Sequence, residues 1–131
     1  GGYDIRTEHG YRDTVQQLVN TVGMERLRGI HVNDSLTALG SRRDRHERLG
    51  VGKIGFAGLA RFLTDPSIPD VPFILETPKP DLWAKEIAIL RGFTDGSRDP
   101  AATRPPRLPA QKSARAHATV SEKKQKREDA G

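Results

Sequence analysis

Cysteine is absent from the 131 residues. That excludes disulfides and thiolate metal sites, and any metal must be held by imidazole and carboxylate groups. The four histidines, His9, His31, His46 and His117, are therefore the first residues to weigh. A long apolar run is missing as well. Nothing approaches the roughly 18 residues of a membrane span, and the opening GGYDIRTEHG lacks the apolar block of a signal peptide. A cytoplasmic setting with no membrane partner is the expectation. Hydrophobic residues make up 34% and charged residues 30% of the chain, a balance that fits one soluble core of modest size but not two. The chain opens on Gly1 in polar sequence rather than on methionine, so a longer parent is expected.

The net charge of +5 is unevenly placed. From Phe93 to Gly131 nine Lys/Arg face five Asp/Glu, giving +4, while the remainder holds thirteen against twelve, giving +1. A general attraction to polyanions follows, and it says little about the folded part. The stretch after Gly92 is poor in large apolar groups and rich in Pro, Ala, Lys and Arg. Such a segment buries too little to offset its ordering entropy. We expect a folded part over residues 1–95 and a disordered basic tail over 96–131.

Within the folded part, Val15, Leu18, Val19 and Val22 recur at helical spacing and predict a helix from Thr7 to Val22, stopped by Gly23. Ile30 and Val32 in LRGIHVND read as a short strand running into a loop. The segment from Ser35 to Gly55 is long, charged and glycine-punctuated, and reads as loop. FAGLARFLT restores helical spacing, VPFILET suits a strand buried on both faces, and PDLWAKEIAILRGF predicts a helix packed through Leu82, Ile87, Ile89 and Leu90 that stops near Gly92. This βα alternation implies parallel strands. Two such strands do not make a domain, since a full eight-stranded barrel takes about 250 residues. The sequence reads as one end of a larger α/β protein.

In α/β barrels the functional groups project from the C-terminal ends of the strands, and here those ends carry His31 and Glu76. A lone strand-end histidine is more often structural, so the coincidence with the loop matters. In SRRDRHERLG, Asp44 and His46 stand two apart and can aim a carboxylate and an imidazole at one cation while Arg45 points away. A D-x-H pair alone is common by chance. Arg42, Arg43, Arg45 and Arg48 surround it; a solvated charged face is the usual fate of such a run, but metal plus guanidinium also suits an anionic phosphodiester. Gly50, Gly52 and Gly55 of LGVGKIG permit close backbone approach.

Taken in order, His-x-Asn-Asp, Gly-Ser-x-x-Asp-x-His, Leu-Gly-x-Gly-x-Ile-Gly and Ile-Leu-Glu-Thr within RGIHVNDSLTALGSRRDRHERLGVGKIG and VPFILETPKPD resemble the C-terminal portion of the endonuclease IV family of apurinic/apyrimidinic DNA repair endonucleases. GYDIRT resembles the segment after an earlier strand's metal ligands, and the resemblance covers residues 1 to 92. It implies the C-terminal βα units of a TIM (β/α)8 barrel, incomplete here, with a trinuclear zinc (Zn2+) cluster at the mouth. The implied activity is base-excision repair: zinc-dependent hydrolysis of the phosphodiester 5′ to an abasic site in DNA, by a monomeric intact enzyme. By motif position His31 and Glu76 would ligate one zinc ion, Asp44 and His46 another, with Glu76 also orienting the nucleophile. Gly40, Ser41 and Arg45 sit where the family's recognition loop approaches the DNA backbone. Leu36 departs from the polar residue expected beside them. The remaining ligands lie on strands outside this sequence, so the implied sites are partial and the isolated chain is expected to be inactive.

Two other readings stay open. One is a sugar isomerase or epimerase of the related xylose-isomerase-like barrels, which also place His, Asp and Glu at strand ends, although the Gly-Ser-x-x-Asp-x-His loop speaks against it. The other is a non-catalytic basic nucleic-acid-binding module in which the tail and the arginine loop act electrostatically.

Overall fold

Helical spacing, capping and turn chemistry account for most of the element order. The computed structural model describes residues 2–110. Helix α1 spans Glu8–Thr21, with the Thr7 hydroxyl accepting from the Gly10 amide as the N-cap. Strand β1 is Ile30–Val32, followed by β2 (Asp34–Ser35) and β3 (His46–Glu47), then helix α2 (Gly55–Thr64), strand β4 (Phe73–Leu75), a 3-10 turn at Pro80–Leu82 and helix α3 (Trp83–Asp95). β1 and β4 are parallel neighbours in the register Ile30–Phe73, His31–Ile74 and Val32–Leu75, as the βα alternation requires. Among the described residues no helix is long and apolar enough to cross a membrane.

The core lies on one side of this strand pair. Val32, Leu49, Phe56, Leu59, Ala60, Ile89, Leu90 and Phe93 are buried together, with Ile30, Phe73 and Leu75 packed against them. Phe56 and Phe93 meet edge to face at 5.5 Å, and a fully buried side chain of this size contributes roughly 1.5–3 kcal/mol. The opposite face of the strands is different. VPFILET is not buried on both faces: Ile74 is 47% exposed, because residues alternate across a strand and its side, shared with His31, meets no described helix. Parallel strands with helices on one face are units of a barrel wall, and the chain holds an incomplete set of them.

Four further expectations need correcting. The Ser35–Gly55 loop is not wholly irregular, since β2 and β3 pair antiparallel with Asp34 opposite Glu47 and Ser35 opposite His46. α3 does not stop near Gly92 but runs to Asp95, where Gly96 takes the left-handed cap at φ 78°. Gly92 is instead a site of close approach, because a β-carbon there would meet the Arg98 side chain. Within α3, Ile87 is exposed while Glu86 is fully buried. In α1, Val19 and Val22 are exposed and the buried residue is Tyr11. Residues 96–110 run as turns, bends and chain without regular secondary structure, with the Arg98 amide bonded to the Gly92 carbonyl at 3.0 Å and the Arg48 guanidinium to the Pro106 carbonyl at 3.4 Å. The disorder expected for residues 111–131 falls outside the described residues.

α1 is held to α2 by Tyr11. Its ring stands edge-on to Phe62 at 4.8 Å and its hydroxyl donates to the Asp65 carboxylate at 2.6 Å. Burial, reinforced by Asp65, pushes the phenol upward. Burial alone would raise Asp65, but hydrogen bonds from Tyr11 and Ser67 outweigh it and lower the carboxyl. Replacing Tyr11 with Phe keeps the ring contact and deletes a hydrogen bond to a charged acceptor, an expected loss of about 1.5–3 kcal/mol at neutral pH. A depressed folded-state carboxyl contributes fully above its unfolded pKa, near 3.9, and loses that contribution as pH falls through the lower folded value. Denaturation midpoints with and without Y11F should therefore differ most near pH 7 and converge towards pH 2.

Candidate metal and phosphate site

Four side chains gather where β1 and β4 end. His31 projects from β1 on the open face, and Glu76, two residues past Ile74, projects from the same face beyond β4. The Glu76 amide extends the ladder by bonding to the Val32 carbonyl at 2.9 Å. His31 Nδ1 lies 2.9 Å from Glu76 Oε1, with both side chains partly open to solvent. β3 brings His46 to the same place: its Nδ1 is 2.9 Å from the Glu76 carbonyl oxygen and 4.0 Å from Glu76 Oε2. His46 Nε2 is 3.3 Å from Asp44 Oδ1, so the i, i+2 spacing does put carboxylate and imidazole on one side.

A carbonyl oxygen can only accept, so Nδ1 of His46 carries the proton there. In neutral imidazole Nε2 then presents a lone pair towards Asp44, also an acceptor. Imidazole nitrogen and carboxylate oxygen at this distance form a donor pair that one cation can bridge. A hydrogen bond that fixes the tautomer of a ligating histidine from behind is a common feature of metal sites, and the donor set of imidazole and carboxylate suits zinc. The arrangement is pairwise, His31 with Glu76 and Asp44 with His46. Among the described residues no three His, Asp or Glu groups are arranged to hold one metal ion.

Two buried carboxylates that the sequence did not single out support this cluster. Asp34, fully buried, accepts from the backbone amides of Ser35 (2.8 Å), Gly50 (3.0 Å), Ile54 (2.9 Å) and Gly55 (3.1 Å). Helix α2 has no side-chain cap from its own N-cap residue; Asp34 supplies that acceptor from a distance and sets a negative charge at the helix start. Gly52 is required by the same contact, since a β-carbon there would lie 2.5 Å from Asp34 Oδ1 and from the Ser35 carbonyl. Glu86, also fully buried, accepts from the Leu49 amide at 2.9 Å and from the Thr77 hydroxyl. It thereby joins the segment just past His46 to the residue after Glu76. Trp83 Nε1 donates to the Thr77 carbonyl at 2.9 Å and closes the turn. A readable signal existed for Glu86, which falls in step with Leu82, Ile89, Leu90 and Phe93 on the apolar face of α3.

Gly40, Ser41 and Arg45 lie in the same loop but share no bond with the four clustered side chains. Gly40 has φ 75°, the Ser41 amide bonds to the Ala38 carbonyl at 3.2 Å, and all three residues are exposed. The Arg45 guanidinium is 3.2 Å from the Asp44 carbonyl, and its own carbonyl accepts from the Leu36 amide at 2.9 Å. Leu36, the departure from the expected polar residue, is 55% exposed.

Comparison with known proteins places this architecture. Residues 3–93 match the family model of the xylose isomerase-like TIM barrel. The chain is 44% identical over 94 residues to the probable endonuclease 4 of Chlorobium phaeobacteroides (strain BS1), covering 72% of this chain and 33% of that protein. It is 45% identical over 96 residues to the probable endonuclease 4 of Campylobacter fetus subsp. fetus (strain 82-40), covering 73% and 34%. The crystal structure of endonuclease IV from Thermus thermophilus matches with a TM-score of 0.65 at 40% identity, over 72% of this chain and 35% of that one. The chain spans about a third of the length of the relatives it matches. With parallel βα units, ligand-type residues at the strand ends and this similarity, the chain belongs to the xylose isomerase-like TIM-barrel family.

Proposed function

We propose that the intact protein is a zinc-dependent DNA repair nuclease that hydrolyses the phosphodiester 5′ to an abasic site, acting as a monomer in the cytoplasm. This chain supplies two partial metal sites. The observation that carries the reading is the linkage of His31–Glu76 and Asp44–His46 through the bond from His46 Nδ1 to the Glu76 carbonyl.

Where His31 and Glu76, and separately Asp44 and His46, hold zinc, the metal supplies Lewis-acid stabilisation of phosphoryl charge and lowers the pKa of water. The chain's own groups do the rest. Glu76 holds His31 with one carboxylate oxygen and leaves the other towards His46, a position from which it accepts a proton from water. His46 keeps its Nε2 lone pair forward because its Nδ1 proton is taken. Gly40, Ser41 and Arg45 contact phosphate on the exposed loop, where an anionic backbone meets an unobstructed guanidinium.

The test is reconstitution. The isolated 131-residue chain is expected to bind zinc weakly, to associate with DNA in a salt-sensitive way, and to show no incision of an abasic duplex. Restoring the missing barrel strands should give incision that chelator abolishes and zinc recovers. Turnover of a free sugar by the restored protein, with no nicking of abasic DNA, would replace this reading with the isomerase alternative.

A further inference from the structure

Glu86 is a buried carboxylate on a helix face that could be wholly apolar. It falls in step with Leu82, Ile89, Leu90 and Phe93, is fully buried, and has two neutral partners, the Leu49 amide and the Thr77 hydroxyl. A leucine at this position would fill the core without the cost of taking a carboxylate out of water. What the carboxylate adds is a pair of acceptors that face two different segments.

Those segments are the two that carry the ligand-type residues. Oε1 accepts from the Leu49 amide at 2.9 Å, three residues past His46, and Oε2 accepts from the Thr77 hydroxyl, one residue past Glu76. Thr77 is itself buried, and α3 grips it twice. Trp83 Nε1, three residues before Glu86 on the same helix face, donates to the Thr77 carbonyl at 2.9 Å. At the mouth the same two segments are joined by the bond from His46 Nδ1 to the Glu76 carbonyl. One bond alone is a pivot, about which β3 can swing relative to the end of β4. The second connection, through a planar carboxylate in the core, removes that freedom. Functional side chains have to be held to within about 0.5 Å of a productive geometry, and β3, paired with β2 over two residues, does not supply such precision by itself.

Resting on the nuclease reading above, we propose that Glu86 is a positioning residue: from behind the site it fixes the separation of Glu76 and His46, and with them of the His31–Glu76 and Asp44–His46 pairs, while touching neither ligand. The role belongs to the two-point bridge and not to the charge. Glutamine can therefore take it over, its amide oxygen accepting from Leu49 and its amide nitrogen donating to the Thr77 oxygen, since a hydroxyl accepts as well as donates.

The experiment uses the intact protein at a temperature well below the melting point of every variant. It measures zinc affinity by competition with a chromophoric chelator, and incision kinetics on an abasic duplex at saturating zinc. E86L is expected to bind zinc about 10–100-fold more weakly, the loss typical of removing a partner that supports a ligand. Its kcat should fall by about tenfold with KM little changed, because the substrate-contacting groups are untouched. T77V opens the bridge at one end only and should lose zinc affinity in the same direction but by less. E86Q should stay within about threefold of wild type, because both ends of the bridge can re-form. I89A, which removes packing from the same helix, should lower the melting temperature and leave zinc affinity unchanged. Wild-type zinc affinity in folded E86L, or in T77V, would overturn the positioning role. So would a loss in E86Q equal to that in E86L, which would assign the effect to charge, or an equal loss in I89A, which would assign it to stability at large. Wild-type protein that binds no zinc would overturn the nuclease reading, and the positioning role with it.

Discussion

Replacing Glu76 with Gln in the intact parent is expected to lower abasic-site incision by at least about a hundredfold, with the fold retained. Glu76 is the one side chain that reaches both halves of the cluster, at 2.9 Å from His31 and 4.0 Å from His46. Glutamine keeps its volume but removes the negative charge, so it is a poorer ligand and no base. Loss of a supporting group at a metal site alone costs about 10–100-fold, and loss of a general base about 10²–10⁴. The main-chain carbonyl that fixes His46 is untouched. Single-turnover incision should therefore collapse while the melting temperature of the metal-free protein stays near that of wild type. Undiminished incision by E76Q would remove Glu76 from the chemistry.

The second large effect is on stability. Asp34→Ala withdraws the acceptor from four backbone amides at once, those of Ser35, Gly50, Ile54 and Gly55. Each stranded donor costs about 1–3 kcal/mol when it stays buried, and partial rehydration of the loop lowers the sum. We expect roughly 3–5 kcal/mol of destabilisation in the parent protein, which is at the upper end for a single substitution. Asp34→Asn should also be damaging, because its amide nitrogen turns a donor towards donors. Chemical denaturation measures this directly, and a loss below about 1 kcal/mol for D34A would mean that other groups satisfy those amides.

How much of this was visible in the sequence differs by scale. The helices over Glu8–Thr21 and Gly55–Thr64 and the strands at Ile30–Val32 and Phe73–Leu75 follow from local periodicity and turn residues, and local signals survive in a chain that contains only part of its barrel. Ile74 and Ile87 were misplaced because burial depends on what covers a face, which periodicity cannot supply. Gly92 looked like a helix stop; it is a packing point, and the helix ends four residues later at Gly96. At the site, the spacing of Asp44 and His46 and the strand-end positions of His31 and Glu76 were legible through motif and geometry. Asp34 stands in the His-x-Asn-Asp run with nothing to set it apart there. Three of its four amide partners lie sixteen to twenty-one positions away, and nothing in a carboxylate's identity announces whether amides, metal or water will surround it.

The acceptor that fixes His46 is the carbonyl of residue 76 and not its side chain. Every amino acid carries that carbonyl, so no single substitution at position 76 deletes it. The orientation of the His46 imidazole is thereby mutationally insulated from the chemistry of its neighbour. A lineage could explore other side chains at position 76, losing or altering activity there, without first scrambling the imidazole beside it, and a reversion would find the rest of the site still in place.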